Sequence, residues 1–279
     1  MKKNSKVGVI TLIFLISTQI NNAQTQENKS PIKIGAKIGY SLGKLSNENS
    51  NIYTQDYESV SGVDWGFMIE FQQTEHIAIQ TEINFTQRGG KRTGLQPVTG
   101  NELSDQLNLF LPLIDMPLVT DENPLYANFE NESDLNYLEV PVLAKFGWGN
   151  DFRFYTEIGP YVGILLNATQ RTRGTSQFYF DAQAANAIFV PNPNGQPQFV
   201  ELPAQPLDAD TKVKDDLRTV NFGGIVGVGA IKRIGGNSEL FFDARASYSF
   251  GAIQFYEVFG KSHIGGVIFS IGYSYELKL

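Results

Sequence analysis

The chain has 279 residues, 42% apolar and only 18% charged, with 27 glycines and 12% aromatic residues, a mix that points to a β-rich, turn-rich protein. With no cysteine, disulfide scaffolds, thiolate metal centres, cysteine nucleophiles and a lipid-modified N-terminal cysteine are excluded, and two histidines leave little for metal or acid–base chemistry. A net charge of −7 argues against nucleic acid as a partner, because neutralising phosphates needs clustered lysine and arginine.

Residues 1–23 read as a signal peptide. Lys2, Lys3 and Lys6 precede an apolar stretch from Val7 to Ser17, and Asn21-Asn22-Ala23-Gln24 offers a small-residue cleavage point after Ala23. That stretch is too short to span a bilayer as a helix, and no other run approaches the roughly 18 apolar residues such a span needs. Removing the three lysines takes the net charge from −7 to −10.

From Ile32 onward the dominant signal is strict two-residue alternation, which marks strands with one apolar face. It predicts eight strands, over 32–43, 63–73, 77–88, 136–146, 152–166, 219–231, 239–250 and 267–279. Pro141 lacks an N–H for the ladder, so a bulge is expected in the fourth strand. Connections alternate in length. Those at 73–76, 147–151 and 233–238 are short, whereas 44–62, 89–135, 167–218 and 251–263 are long and fall at one end of an up-and-down meander. The apolar face is unbroken, while the opposite face collects Lys33, Lys37, Glu70, Glu82, Arg88, Glu139, Lys145, Arg153, Glu157, Asp243, Arg245 and Glu276. A soluble ligand-binding barrel would show the reverse, with apolar residues inside. The pattern predicts an all-β fold in residues 24–279: an eight-stranded antiparallel up-and-down transmembrane β-barrel with long extracellular loops at one end.

The run Tyr137-Leu138-Glu139-Val140-Pro141-Val142-Leu143-Ala144-Lys145-Phe146 resembles the signature strand of the PorT-like outer-membrane β-barrel family. Gly159-Pro160-Tyr161-Val162-Gly163, the glycine-rich strand from Asn221-Phe222-Gly223-Gly224 to Gly229, and Ile271-Gly272-Tyr273-Ser274-Tyr275 match it too. The resemblance covers the strands and not the long loops. It implies an integral barrel of the Gram-negative outer membrane and offers no catalytic residues to carry over. The family takes its name from a member needed for protein secretion and gliding machinery.

An eight-stranded barrel has room only for side chains, so the twelve inward charges are expected to form a structural ionic network that plugs the lumen. Gly39-Tyr40-Ser41-Leu42-Gly43 matches the Gly-x-Ser-x-Gly string of lipases, but it lies in a strand rather than a strand-to-helix turn, and parity sets Ser41 inward and His263 outward. His76 and His263 sit at opposite ends and cannot share a metal. No catalytic, metal or cofactor site is expected. Segment 89–135 carries Glu102, Asp105, Asp115, Asp121, Glu122, Glu130, Glu132 and Asp134 against Lys91 and Arg92, a balance of 2 − 8 = −6. Its apolar stretch from Leu107 to Leu118 either packs on the loops and barrel rim or presents a contact patch. Expected partners are outer-membrane lipid and, through the long loops, envelope or secretion-complex proteins. The leading functional expectation is a non-enzymatic structural, adhesive or partner-docking barrel. A secretion-complex component is the alternative, and an outer-membrane acyl-chain enzyme the weakest reading.

Overall fold

A computed structural model describes residues 31–277 apart from 49–50, 55, 99–101, 115, 193 and 195–197. The expected signal peptide and the last two residues of the eighth predicted strand lie outside the described residues. Eight long strands follow in chain order: β1 (Ile32–Asn47), β2 (Val60–Gln72), β3 (Ile77–Val98), β4 (Leu125–Gly149), β5 (Phe152–Arg173), β6 (Val220–Gly235), β7 (Ser238–Ser249) and β8 (Ser262–Leu277). Each pairs antiparallel with the next, and β8 pairs with β1, so the sheet closes on itself. Following directly paired residues from Ile32 through Phe71, Ile79, Ala144, Ile158, Val226, Ala246 and Val267 returns to β1 at Leu42, a stagger of 42 − 32 = 10 residues. Such a stagger tilts the strands by roughly 35–45° to the barrel axis.

Outward positions form an apolar band that includes Ile38, Phe67, Ile83, Ile158, Val226 and Ile271, each exposed. A surface of this extent would be unfavourable in water and suits hydrocarbon. At the short-turn end the band is rimmed by Phe146, Trp148, Phe152 and Phe154, with ring centroids 5.0 to 6.4 Å apart in successive contacts. Exposed Phe222, Tyr248 and Phe250 rim the other end.

The structure corrects the strand ends. Segments 89–98, 125–135 and 167–173, expected as loop, are strand: β3, β4 and β5 run on past the apolar band as a three-stranded wall. Here the binary pattern inverts. Leu125, Ala127 and Phe129 are buried on the inner face of β4, while Glu130, Glu132 and Asp134 take the outward parity that Leu138 and Val140 hold lower down. The ladder continues although the outward face turns polar. From Leu138 to Leu125, at roughly 3.3 Å per residue, the wall adds on the order of 40 Å of strand.

The wall is covered by elements the alternation could not show. Helix α1 (Glu102–Phe110) and a 3-10 turn (Leu111–Ile114) contribute Leu107 and Leu111 to a cluster with Val119, Leu125, Ala127, Phe129, Phe178 and Ile188. The apolar loop stretch is therefore packed on one side; on the other, Leu109 stays 72% exposed. Short strand Phe178–Tyr179 extends pairing on β4, Ala209–Lys212 adds to β5, and Phe189–Pro191 pairs with Phe199–Glu201 as a hairpin.

The expected bulge is also displaced. The register shift in β4 falls at Asn136/Tyr137, where the wall leaves the barrel, and pairing on either side of Pro141 keeps register. At Pro141 and Pro160 the ladders instead skip residues: pairing on β4 resumes at Ala144↔Ile158 after Pro141↔Tyr161. Gly159 lies in that gap, and a Cβ there would collide with the Val142 carbonyl oxygen, whereas at Gly163 the nearest atom, in Tyr137, is an ordinary 3.4 Å away. Gly159→Ala is expected to reduce the heat-modifiable folded fraction on gels, and Gly163→Ala to leave it unchanged.

Candidate functional site

Inward side chains fill the barrel with charge. Arg245 on β7 anchors the largest group: its Nη1 and Nη2 donate to Glu82 on β3, each at 2.8 Å, while Nε lies 2.5 Å from Glu157 on β5 and Nη2 lies 3.1 Å from Asp243. A planar guanidinium presents several donors in a fixed fork, and here carboxylates from three strands converge on one. Lys37 Nζ on β1 lies 2.9 Å from Glu82 and 3.6 Å from Asp64 of β2. Asn84 donates to Glu82 at 2.7 Å, Gln80 donates to it as well, Thr86 donates to Asp64 at 2.7 Å, and Ser270 donates to Asp243 at 2.7 Å.

A second group sits toward the short turns. Lys145 donates to Glu70 at 2.8 Å and to Gln80 at 2.9 Å, with its ammonium 4.0 Å from the ring centre of Tyr155. Lys33 donates to Glu239 at 2.7 Å and lies 3.7 Å from Glu70. The third group lies toward the long loops, where Arg88 holds Glu139 in a two-pronged pair, both contacts at 3.0 Å, and donates to Ser247 at 2.5 Å.

Ten of the twelve sequence-predicted luminal charges thus meet inside the barrel. Arg153 and Glu276 do not. Both are half-buried at the short-turn end: Arg153 donates to the Glu75 carbonyl in the β2–β3 turn at 2.9 Å, and Glu276 is engaged through its backbone with Asn237. Their alternation parity is inward, but they stand at the rim of the lumen: Glu276 pairs with Lys33 in the ladder, and Arg153 lines a small cavity with Lys33, Glu70 and Lys145. Two luminal acids were missed, Asp64 and Glu239; each occupies the inward parity of its strand, which is the signal that finds them.

Above the Arg88 group the inward face becomes apolar. Leu45, Leu135, Tyr137, Leu165, Ala168, Ile253 and Ile264 form a buried cluster, against which loop residues Tyr57, Val213 and Leu217 pack. This cluster caps the charged groups at the long-loop end of the barrel. Outside it the wall carries cross-strand pairs on its outward face: Lys91–Glu130 at 2.7 Å, Arg171–Asp134 at 2.9 Å and Arg173–Asp210 at 2.6 Å. Asp181, at the outer turn, accepts backbone N–H bonds from Ala185, Asn186 and Gln183, which hold its carboxyl below the usual range.

The serine and histidine of the lipase-like string are not brought together. Ser41 donates to the Gln87 carbonyl at 2.6 Å and is paired with Ile268, whereas His263 pairs with Ser46, five residues along the strand, and stacks on Tyr248. His76 accompanies the Gly147 carbonyl at the opposite end. Among the described residues no group of three His, Asp or Glu is arranged to hold a metal.

The network sets a stability test. Arg245→Met removes the shared partner of three buried carboxylates and, among the described residues, leaves only Glu82 with a second cation, Lys37; it is expected to cost about 3–5 kcal/mol in urea unfolding of the refolded barrel, with Arg245→Lys intermediate.

The model of the outer membrane protein beta-barrel domain family matches residues 22–254. No curated protein matches. Among solved structures, Neisserial surface protein A is similar at 10% identity and a TM-score of 0.39, covering 88% of this chain and 97% of that one. OprG from Pseudomonas aeruginosa is similar at 6% identity and a TM-score of 0.40, covering 90% and 97%. Ail, the attachment invasion locus protein of Yersinia pestis, is similar at 11% identity and a TM-score of 0.35, covering 87% and 98%.

Proposed function

We propose, from the premise that this chain belongs to the outer membrane protein beta-barrel domain family and resides in the outer membrane, that it is a non-enzymatic docking barrel whose long-loop end faces outward. Short turns on the periplasmic side and long loops outside are the usual arrangement of such barrels. The observations that support the reading are buried ion pairs inside the barrel, a buried apolar cluster toward its long-loop end, and a folded wall beyond it. A transport path would need the opposite distribution, with a polar opening through the cap.

The wall ends in a hairpin suited to contact. Phe189 and Phe199 lie on one face of it, 57% and 63% exposed, while Val190 on the other face packs against the wall's core. Rigidly mounted exposed aromatic rings are favourable anchors for a protein partner. In planar bilayers the purified barrel is expected to show no conductance above background; discrete channel openings would overturn the closed-lumen reading. A photo-crosslinking residue near the hairpin is expected to capture discrete envelope or extracellular partners in intact cells. Phe189→Ser together with Phe199→Ser is expected to abolish those adducts while heat-modifiable folding is unchanged.

A further inference from the structure

Lys214 and Arg218 border a recess that neither the luminal network nor the docking hairpin uses. It measures about 340 Å³, opens to solvent, and is lined by Lys214, Asp215, Leu217, Arg218, Thr219 and Phe255. Its walls come from two connections, β5–β6 and β7–β8, and are tied together by backbone. Arg218 N–H donates to the Ile253 carbonyl at 2.8 Å and Phe255 N–H to the Asp216 carbonyl at 2.9 Å, with a bridge between Leu217 and Gln254. The recess is therefore preformed.

Its height is fixed by one hydrogen bond. Lys214 Nζ donates to the Leu166 carbonyl at 2.9 Å, and Leu166 is the last outward apolar residue of β5, followed by polar Asn167. Exposed Val220 opens the band on the adjacent strand, one residue after the recess lining ends. Phe255 and Tyr256, both exposed, pack edge to face 5.2 Å apart. The recess thus stands where hydrocarbon gives way to head groups, a level that favours aromatic rings and basic side chains.

The two cations are matched differently from those of the wall. Lys91, Arg171 and Arg173 each have a carboxylate within 2.9 Å, but neither Lys214 nor Arg218 forms an ion pair among the described residues. Lys214 uses one donor on Leu166 and Arg218 uses Nε on the Gln254 carbonyl at 3.1 Å. The remaining donors are suited to a phosphate. Asp215 on the same rim disfavours a bare anion and would accept hydroxyl donors, and Phe255 offers an apolar face to a sugar ring.

We propose that this recess binds the phosphorylated sugar head group of an outer-leaflet glycolipid, with the phosphate on Lys214 and Arg218 and sugar hydroxyls on Asp215. The proposal rests on the outward placement of the long loops. The test is native mass spectrometry of the full mature chain, refolded in detergent, with bis-phosphorylated lipid A, its dephosphorylated form and phosphatidylethanolamine offered in parallel. The wild type is expected to retain bis-phosphorylated lipid A preferentially. Lys214→Gln with Arg218→Gln should cut retention about tenfold, and Lys214→Arg with Arg218→Lys should restore it, provided heat-modifiable folding is kept in both. Equal retention by the Gln variant, preference for phosphatidylethanolamine, or displacement by millimolar inorganic phosphate would overturn the proposal. Surface proteolysis of the loops on intact cells reads the orientation separately, so failure of the site and failure of the orientation give different results.

Discussion

Everything in this molecule follows from the requirement that backbone amides inside hydrocarbon find partners within the protein. A sheet that closes on itself meets that requirement, because no strand is left with an open edge. Closure with eight strands and a ten-residue stagger then fixes the interior at a width that only side chains can occupy. Inward positions must therefore be filled, and the chain fills them with charges whose partners stand on other strands. Lys33 meets Glu239 across 206 residues of sequence, and Arg245 meets Glu82 across 163. Such pairs hold only when the register of the whole ring is right. Breaking one leaves a buried charge uncompensated, which is far more costly than removing a surface pair.

The same geometry explains where polarity changes along the axis. Within the membrane the outer face must be apolar and the lumen can be polar. Beyond it, water takes over outside, so β4 reverses its pattern and turns Leu125, Ala127 and Phe129 inward. The bulge at Asn136/Tyr137 sits at that reversal. Among the described residues the capping cluster and the wall's own cluster are the larger hydrophobic cores and both lie outside the apolar band, while a smaller cluster of Leu143, Tyr161 and Ile225 sits inside the barrel.

The barrel was legible in the sequence because period-two alternation is a local signal that needs no knowledge of partners. Eight strands, their order and ten of the twelve luminal charges follow from parity alone. Parity carries no height, however, which is why Arg153 and Glu276 read as luminal although they stand at the rim and join no buried ion pair among the described residues. It also carries Asp64 and Glu239, which share the inward register with Glu70 and Asp243 and complete the network. The wall was read as loop for a different reason: from Leu125 to Leu135 the alternation persists with its sign reversed, so a search for apolar-outward strands stops at Phe85 and Leu138. Helix α1 and the hairpin are held by tertiary contacts with the wall, and a short segment in an acidic, proline-rich region announces neither. The recess at Lys214 and Arg218 is assembled from two connections distant in sequence, and nothing local marks it.

The wall rises from only three adjacent strands, and this makes the molecule lopsided. On the flank of β3 to β5 a neighbour in a crowded membrane meets a projection extending well past the lipid surface, charged on its outer side. On the flank of β7 and β8 the strands end near the band and the connection between them carries aromatic rings at the head-group level. The barrel therefore has a tall side and a low side. Lateral contacts between whole barrels are sterically simplest along the low side, leaving the tall side and its hairpin free to face whatever approaches that end of the barrel.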